Sequence, residues 1–293
     1  MIHYLYRLKL INTMRLDGRR ESRNVRDVRG KGGKAAGLGL GGLVIIGIIS
    51  WLLGGNPLEV IEQAGGLEAI TGSQQTEYVP TAEEEALAKF SKQILAGTED
   101  VWTAEFRKLG LTYEPPTLVL FTGSVQSACG GATSATGPFY CSGDKSVYID
   151  LSFFSTMKKQ FGSAGDFAYA YVIAHEVGHH VQNLLGTLRA AHTEMNRLSE
   201  TEANKISVRL ELQADFYAGL WAHHDNEMFN SLEEGDLEEG LEIASRIGDD
   251  YLQKQARGYA VPETFNHGTS AQRSRWLKKG FTTGDIEKED TFS

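Results

Sequence analysis

A long interval of the sequence lacks charge. Charged residues make up 23% of the 293-residue chain, yet none lies between Lys34 and Glu59. About 20 apolar residues in a helix span the hydrocarbon core of a bilayer, and glycines such as those in this run are common in membrane helices. A buried core helix and a cleaved signal peptide are the alternatives, but the run starts late and no clear A-x-A cleavage site follows it. We therefore predict one transmembrane helix at residues 35–56.

Basic residues are scarce after this run. From Pro57 onward there are 19 basic and 35 acidic residues, a formal charge of −16, whereas residues 1–34 hold ten basic and three acidic residues. This balance argues against nucleic acid as a partner, because phosphate binding needs a basic surface. The positive-inside rule places the basic head, residues 1–34, in the cytoplasm and the remainder outside it, in the periplasm if the bacterium has two membranes.

Cysteine is nearly absent, since the chain holds only Cys129 and Cys141. Both lie in the part that is predicted to be exported, where an oxidising compartment favours a disulfide. Two reduced, unlinked thiols are the alternative. We predict the bridge.

Helix signals begin after a Gly- and Gln-rich linker at residues 57–80. Thr81 and Glu84 form the pattern of a capping box, which predicts a helix start. The apolar spacing that follows predicts two successive helices, the second ending at Gly110.

A short sheet and further helices are predicted after residue 115. Residues 117–122 form a β-branched and aromatic run typical of a strand, and residues 139–141 and 146–151 flank a Gly-Asp turn signal typical of a hairpin. The rest of the chain is predicted to be mostly helical, with helices near 166–186, 202–223 and 237–247 and a polar, frayed tail at 282–293. This pattern indicates an α+β fold, mostly helical with a small sheet.

The segment that carries chemistry is His175-Glu176-Val177-Gly178-His179. His175 and His179 are four residues apart, so they lie on the same face of a helix one turn apart. Two imidazoles in this arrangement can donate nitrogen atoms to one zinc ion. Glu176 points elsewhere but stays close enough for its carboxylate to reach a metal-bound water. Two structural histidines on a helix are the alternative.

A catalytic zinc needs three protein ligands and an open position. The metzincin motif would require Gly at position 182 and His at position 185, but this chain has Gln182 and Leu185, which excludes that class. A carboxylate from a later helix is the remaining option. Glu211 and Asp215 share one face of a largely apolar helix, so we assign Glu211 as the third ligand and Asp215 as the acceptor of an imidazole N–H. An exposed acidic pair is the alternative.

HEVGH at residues 175–179, followed by ELQAD at 211–215, resembles the motifs of the ExxxD-type gluzincins. The whole layout is similar to the bacterial putative neutral zinc metallopeptidase family. The other features that carry this resemblance are the basic head with its Gly-rich run and the segments 129–141, 147–151 and 265–270. The resemblance spans nearly all residues from Met14 to Phe281.

This resemblance implies a zincin-like peptidase domain at residues 81–281, with zinc between the HEVGH helix and the glutamate helix. It also implies that residues 132–140 lie near the cleft as an edge strand, which can bind an extended peptide by β-augmentation. In related zincins a His or Tyr beyond the metal helices stabilises the oxyanion, and His267, followed by Arg273, matches that element. A structural histidine that donates to a backbone carbonyl is the alternative for His267.

The sequence thus predicts a membrane-anchored zinc metallopeptidase, an endopeptidase acting on protein or peptide substrates. His175, His179 and Glu211 hold Zn²⁺, Glu176 is the general base for the zinc-activated water, and His267 assists at the carbonyl. Two alternatives stay open: a membrane-tethered scaffold with a non-catalytic zinc site, and a zinc hydrolase of a non-peptide substrate. The intact Glu176 disfavours the scaffold, because a structural zinc usually has four protein ligands and no base.

Overall fold

The structure, a computed structural model, describes residues 14–30, 78–161 and 165–292. These residues form an α+β fold that is mostly helical with a small sheet, as predicted. The predicted membrane span at 35–56 and most of the predicted linker lie outside the described residues. Within the described ranges, no helix combines the length and the apolar character that crossing a membrane requires.

The strands of the described residues are β1 Val25–Asp27, β2 Thr117–Phe121, β3 Ser124–Ser127, β4 Gly130–Thr133, β5 Phe139–Cys141 and β6 Ser146–Asp150. The α-helices are α1 Ala82–Lys108, α2 Ser152–Phe161, α3 Asp166–Leu185, α4 Thr187–Met195, α5 Glu200–Phe229, α6 Asp236–Arg246, α7 Asp249–Arg257 and α8 Ser270–Thr283. Three short 3₁₀ helices lie at Ser134–Thr136, Pro262–Thr264 and Ile286–Lys288.

The main sheet has four strands in the order β1-β2-β6-β5. β1 and β6 each pair in parallel with β2, and β5 pairs antiparallel with β6. Leu118, Val119 and Leu120 of β2 are all fully buried. A continuous apolar run of this kind is typical of a strand that is covered on both faces. The strand predicted at 117–122 and the hairpin predicted from residues 139–151 are therefore confirmed.

A separate hairpin, β3–β4, is joined to the main sheet by the predicted disulfide. Cys129 lies in the turn between β3 and β4, and Cys141 ends β5. Their sulfur atoms are 2.00 Å apart. The bridge therefore ties this glycine-rich hairpin to the edge strand of the sheet.

The region after Thr81 is one long helix, α1, and not the two helices predicted. Its start has the expected capping box, in which the Thr81 side chain accepts from the Glu84 N–H and the Glu84 carboxylate accepts from the Thr81 N–H. Gly97 lies inside this helix. A Cβ added there would lie 2.5 Å from an Oδ1 atom of Asp225, so the glycine permits close packing inside a continuous helix.

The tightest helix packing joins α5 and α8. A Cβ added at Gly219 of α5 would lie 2.1 Å from the carbonyl oxygen of Leu277, and one added at Gly280 of α8 would lie 2.0 Å from that of Phe216. The two backbones are thus in direct contact. This contact places the first turns of α8 beside the part of α5 that carries Asp215.

Residues 14–30 belong to the same domain, which corrects the prediction of a separate basic head at 1–34. Met14 and Leu16 are buried in the main hydrophobic core, and β1 pairs with β2. Arg19 forms an ion pair with Asp225 of α5 at 2.8 Å. The domain therefore starts well before the predicted boundary at residue 81, because the arginines of this segment pair with carboxylates of the domain.

The predicted polar tail, residues 282–293, also packs on the domain as far as Phe292. The Thr291 hydroxyl donates to the carbonyl oxygen of Arg209 on α5 at 2.8 Å. Ile286 contacts the main core, and Phe292 contacts a smaller apolar cluster. The prediction of a frayed end is wrong for residues 282–292, because apolar side chains among them pack against apolar clusters of the domain.

Candidate metal centre and cleft

Two imidazoles and one carboxylate converge where α3 packs against α5. His175 and His179 lie one turn apart on α3, and their ring centroids are 4.9 Å apart. Nε2 of His175 lies 3.2 Å from one carboxylate oxygen of Glu211, and Nε2 of His179 lies 3.4 Å from the other. Gly178 permits this approach of the helices, since a Cβ added there would lie 3.0 Å from the carbonyl oxygen of Ala214.

The second nitrogen of each imidazole already has a partner. Nδ1 of His175 donates to Oδ1 of Asp215 at 2.9 Å, and Nδ1 of His179 donates to Oε1 of Gln182 at 2.9 Å. With the N–H at Nδ1, the nitrogen that faces Glu211 is Nε2, which can bind a metal ion once it has lost its proton. In metalloproteins, hydrogen bonds of this kind fix the orientation of histidines that bind a metal ion.

The electrostatics of this group favour a cation. Burial lowers the pKa of His175, but the carboxylates of Asp215 and Glu211 outweigh burial and raise this pKa to about 10. Burial raises the pKa of Glu211, but His179 and His175 outweigh it and hold this pKa well below its usual value. A negative field that holds protons on these imidazoles equally attracts a divalent ion. Two neutral nitrogens and one carboxylate are also the donor set of a three-ligand zinc site, so the residues fit this ion.

Asp215 is held by a buried network. Its side chain is fully buried, and Nε and Nη2 of Arg273 each donate to one of its two oxygens at 2.9 Å. The Tyr171 hydroxyl donates to Oδ1 at 2.5 Å. Arg273 comes from α8 and Tyr171 from the turn of α3 before His175. The orientation of His175 therefore depends on three helices.

An open cleft of about 730 Å³ lies over these residues. Its lining includes Glu176, which is 9% exposed, together with His175, His179 and Glu211. The lining also contains apolar side chains, namely Phe139, Phe153, Met157, Val172, Ile243, Ile247 and Leu252.

Residues 132–140 line this cleft, as the resemblance implied. Only part of this segment is extended, because Ser134–Thr136 form a 3₁₀ turn between β4 and β5. β5 is an edge strand of the main sheet, because among the described strands it pairs with β6 alone.

His267 lines the same cleft and is held by Asp249. Nδ1 of His267 lies 3.2 Å from Oδ1 of Asp249, and Oδ2 of Asp249 accepts the N–H groups of three successive residues, Asn266, His267 and Gly268, at 2.7–2.9 Å. Desolvation lowers the pKa of His267, but the Asp249 and Glu211 carboxylates outweigh it and raise this pKa. The ring therefore donates to a side chain and not to a backbone carbonyl, which was the structural alternative.

His180, His223 and His224 make hydrogen bonds that hold elements of the fold together. Nε2 of His180 donates to the carbonyl oxygen of Glu114 at 2.6 Å, and Nδ1 lies 3.0 Å from the Tyr140 hydroxyl. Burial lowers the pKa of His180 to about 4, so its ring is neutral. His223 and His224 donate to backbone carbonyls at the end of α8.

Sequence reasoning missed two positioning side chains. Gln182 is three residues after His179 on one helix face, so the i, i+3 rule could have found it. The Gln182 amide also donates to the carbonyl oxygen of Leu210 at 2.7 Å, which ties α3 to α5 beside Glu211. Asp249 carries no such signal, because it is remote from His267 in sequence.

Comparison with known proteins assigns the family. The model of the family described as "Putative neutral zinc metallopeptidase" matches residues 14–292. The chain is 46% identical over 287 residues to YpfJ of Escherichia coli K12, described as uncharacterized, covering 95% of this chain and 99% of that protein. It is 44% identical over 191 residues to the uncharacterized protein Rv2575 of Mycobacterium tuberculosis H37Rv, covering 62% of this chain and 64% of that protein. No solved structure matches the chain. The chain therefore belongs to the family described as putative neutral zinc metallopeptidases.

Proposed function

We propose that this protein is a zinc-dependent endopeptidase with a zincin-like catalytic domain. The observation that carries this proposal is the convergence of His175, His179 and Glu211 at an open cleft, with Glu176 in the lining of the same cleft. Three protein donors leave room for a water or a substrate oxygen, which is the arrangement of catalytic rather than structural zinc.

Bound Zn²⁺ would supply a Lewis acid that lowers the pKa of a water molecule and polarises a peptide carbonyl. The side chains of the protein provide the remaining chemistry. Glu176 accepts the proton of the attacking water and passes it to the departing amine. His267, held by Asp249, donates a hydrogen bond to the carbonyl oxygen as negative charge develops there. Asp215 and Gln182 keep the two imidazoles oriented.

The shape of the cleft supports an extended polypeptide as the substrate. β5 lies at the edge of the main sheet as formed by the described residues, and an extended peptide can add to such an edge by β-augmentation. The apolar side chains in the lining of the cleft suit side chains of an unfolded or extended segment.

We also propose that residues 35–56 attach the protein to a membrane and that the catalytic domain works outside the cytoplasm. The uncharged run in the sequence supports the attachment. The paired Cys129 and Cys141 support an oxidising compartment.

The test compares Glu176→Gln with the wild-type protein on an unfolded protein substrate, using zinc-loaded full-length chains. General-base catalysis contributes roughly 10²–10⁴-fold, so Glu176→Gln should lose activity on that order while its zinc content stays equal. Glu194→Gln, at an exposed glutamate of α4, is the matched control and should cleave as the wild type does. Equal cleavage by Glu176→Gln would refute the assignment, and a zinc-loaded wild type without activity would favour the scaffold alternative.

A further inference from the structure

We infer that residues 14–30 lie on the same side of the membrane as the catalytic domain. A single crossing at residues 35–56 would put them on opposite sides. This inference rests on the proposed membrane attachment but is independent of the peptidase activity. It is carried by the contacts that join residues 14–30 to the rest of the fold.

The N-terminal segment forms part of the hydrophobic core. Met14 is 5% exposed and Leu16 is 8% exposed, and both belong to the main core cluster. The side-chain amide of Gln93, on α1, donates to the carbonyl oxygens of Leu16 and Arg19 at 3.0 and 3.2 Å. A separate cytoplasmic head would leave this buried amide without these acceptors.

Buried carboxylates of the domain take their partners from this segment. Asp225 of α5 is 1% exposed, and both its oxygens accept from the Arg19 guanidinium. Glu99 of α1 is 7% exposed and accepts from side chains of the same segment, namely Arg20, Ser22 and Asn24. Removing one partner of a buried charge pair is strongly destabilising, so the domain requires these residues beside it.

The sheet also needs the segment. The Leu118 N–H donates to the carbonyl oxygen of Asn24, and the Val28 N–H donates to that of Leu120, each at 2.8 Å. Without β1, the apolar strand β2 would be an open edge, which is a template for aggregation.

The described residues on either side of the uncharged run are in contact with each other. A Cβ added at Gly30 would lie 2.3 Å from the Cβ of Tyr78, so these two residues touch. Arg29 donates to the backbone of Glu84 and to the carboxylate of Glu85, at the start of α1. Two points in contact cannot lie on opposite faces of a hydrocarbon layer about 30 Å thick.

The charge pattern that suggested a cytoplasmic head has a different explanation. Arg19, Arg20 and Arg29 each pair with carboxylates of the folded domain or of their own segment. The positive-inside rule counts basic residues beside a membrane span without regard to such pairs. The contacts therefore outweigh the charge count as evidence for sidedness.

Single cysteines test the sidedness directly. Arg23→Cys and Thr201→Cys each place one thiol at an exposed site, the first in the N-terminal segment and the second on α5. The two native cysteines are paired, so the new thiol is the one free to react. Intact cells are treated with a membrane-impermeant maleimide before and after permeabilisation. We expect the two sites to label alike, and labelling of only one of them in intact cells would overturn the inference.

The same experiment separates this inference from the other proposals. Labelling of both sites only after permeabilisation would support a shared side but contradict the extracytoplasmic location. Recovery of the protein away from the membrane fraction would contradict the attachment and, with it, this inference. The peptidase assignment is unaffected by any of these results, because its test uses purified protein.

A stability measurement tests the packing itself on the purified full-length chain. Arg19→Ala should lower Tm by roughly 5–15 °C, because it leaves Asp225 buried without its cation. Arg23→Ala, at an exposed arginine of the same segment, is the control and should leave Tm unchanged. Equal Tm values for the two variants would show that the segment is not packed as described.

Discussion

Replacing Arg273 with methionine tests how the metal centre is built into the fold. Arg273 is 4% exposed and donates to both oxygens of Asp215, which is fully buried. Methionine keeps an apolar stem of similar length but removes the guanidinium that donates to both oxygens of the carboxylate. Breaking a buried ion pair costs about 3–5 kcal/mol. At about 2–4 °C per kcal/mol for a domain of this size, Tm should fall by roughly 6–20 °C.

The assay is urea or thermal unfolding in the presence of a chelator, so that metal binding does not contribute to stability. Asp215→Asn and the double variant Asp215→Asn/Arg273→Met complete a double-mutant cycle. The double variant should be less destabilised than the sum of the single variants, with a coupling energy of about 1–3 kcal/mol, because it no longer buries an unpaired charge. A loss under about 1 kcal/mol for Arg273→Met, or an additive cycle, would refute this reasoning.

Three further changes test other parts of the fold. Gly280→Ala should lower the free energy of unfolding by about 1–3 kcal/mol despite its gain in helix propensity, because a Cβ there would lie 2.0 Å from the carbonyl oxygen of Phe216. Gly178→Ala, where a Cβ would lie 3.0 Å from the nearest backbone oxygen, should cost less, and equal losses in urea unfolding would contradict the backbone contact of α5 and α8. Burial and neighbouring carboxylates raise the pKa of Glu239 to about 7, above its unfolded value, so the stability it contributes is lost as pH rises through 7. Glu239→Gln should therefore stabilise the protein at pH 8 but not at pH 5. The expected gain in the free energy of unfolding at pH 8 is about 1 kcal/mol after allowance for solvent screening. A gain of the same size at both pH values would contradict this explanation. Replacing Cys129 and Cys141 with serine should lower the free energy of unfolding by about 3 kcal/mol, because the bridge closes a short loop and so limits the conformations of the unfolded chain. An unchanged unfolding midpoint would exclude this contribution.

Features set by neighbouring residues were predictable from the sequence. The helical period places His175 and His179 on one face of α3 without any knowledge of the fold. The capping box at Thr81 and the strand at residues 117–121 follow from short local patterns, and the structure has both. These predictions succeed because the energies that decide them act within about one turn or one strand.

Local patterns failed where a distant element decided the outcome. The apolar spacing after Thr81 predicts two helices, but the structure has one continuous helix, in which Gly97 allows the close approach of Asp225 from α5. The arginines of residues 14–30 resemble a cytoplasmic flank, but Arg19 and its neighbours pair with acids of the domain. In both cases the partner residue is more than a hundred residues away or lies on another helix, so no local sequence pattern predicts the contact.

By itself, the sequence determined which side chains were candidates for the metal centre, because helix geometry links positions four residues apart. Only the tertiary structure decided that Glu211 faces both imidazoles and that Asp249 holds His267. It alone also decided that Arg273, 58 residues after Asp215, supports the whole arrangement. The physical reason is that these contacts depend on how closely α3, α5 and α8 pack, and that packing is set by the shape of the core and not by the period of any one helix.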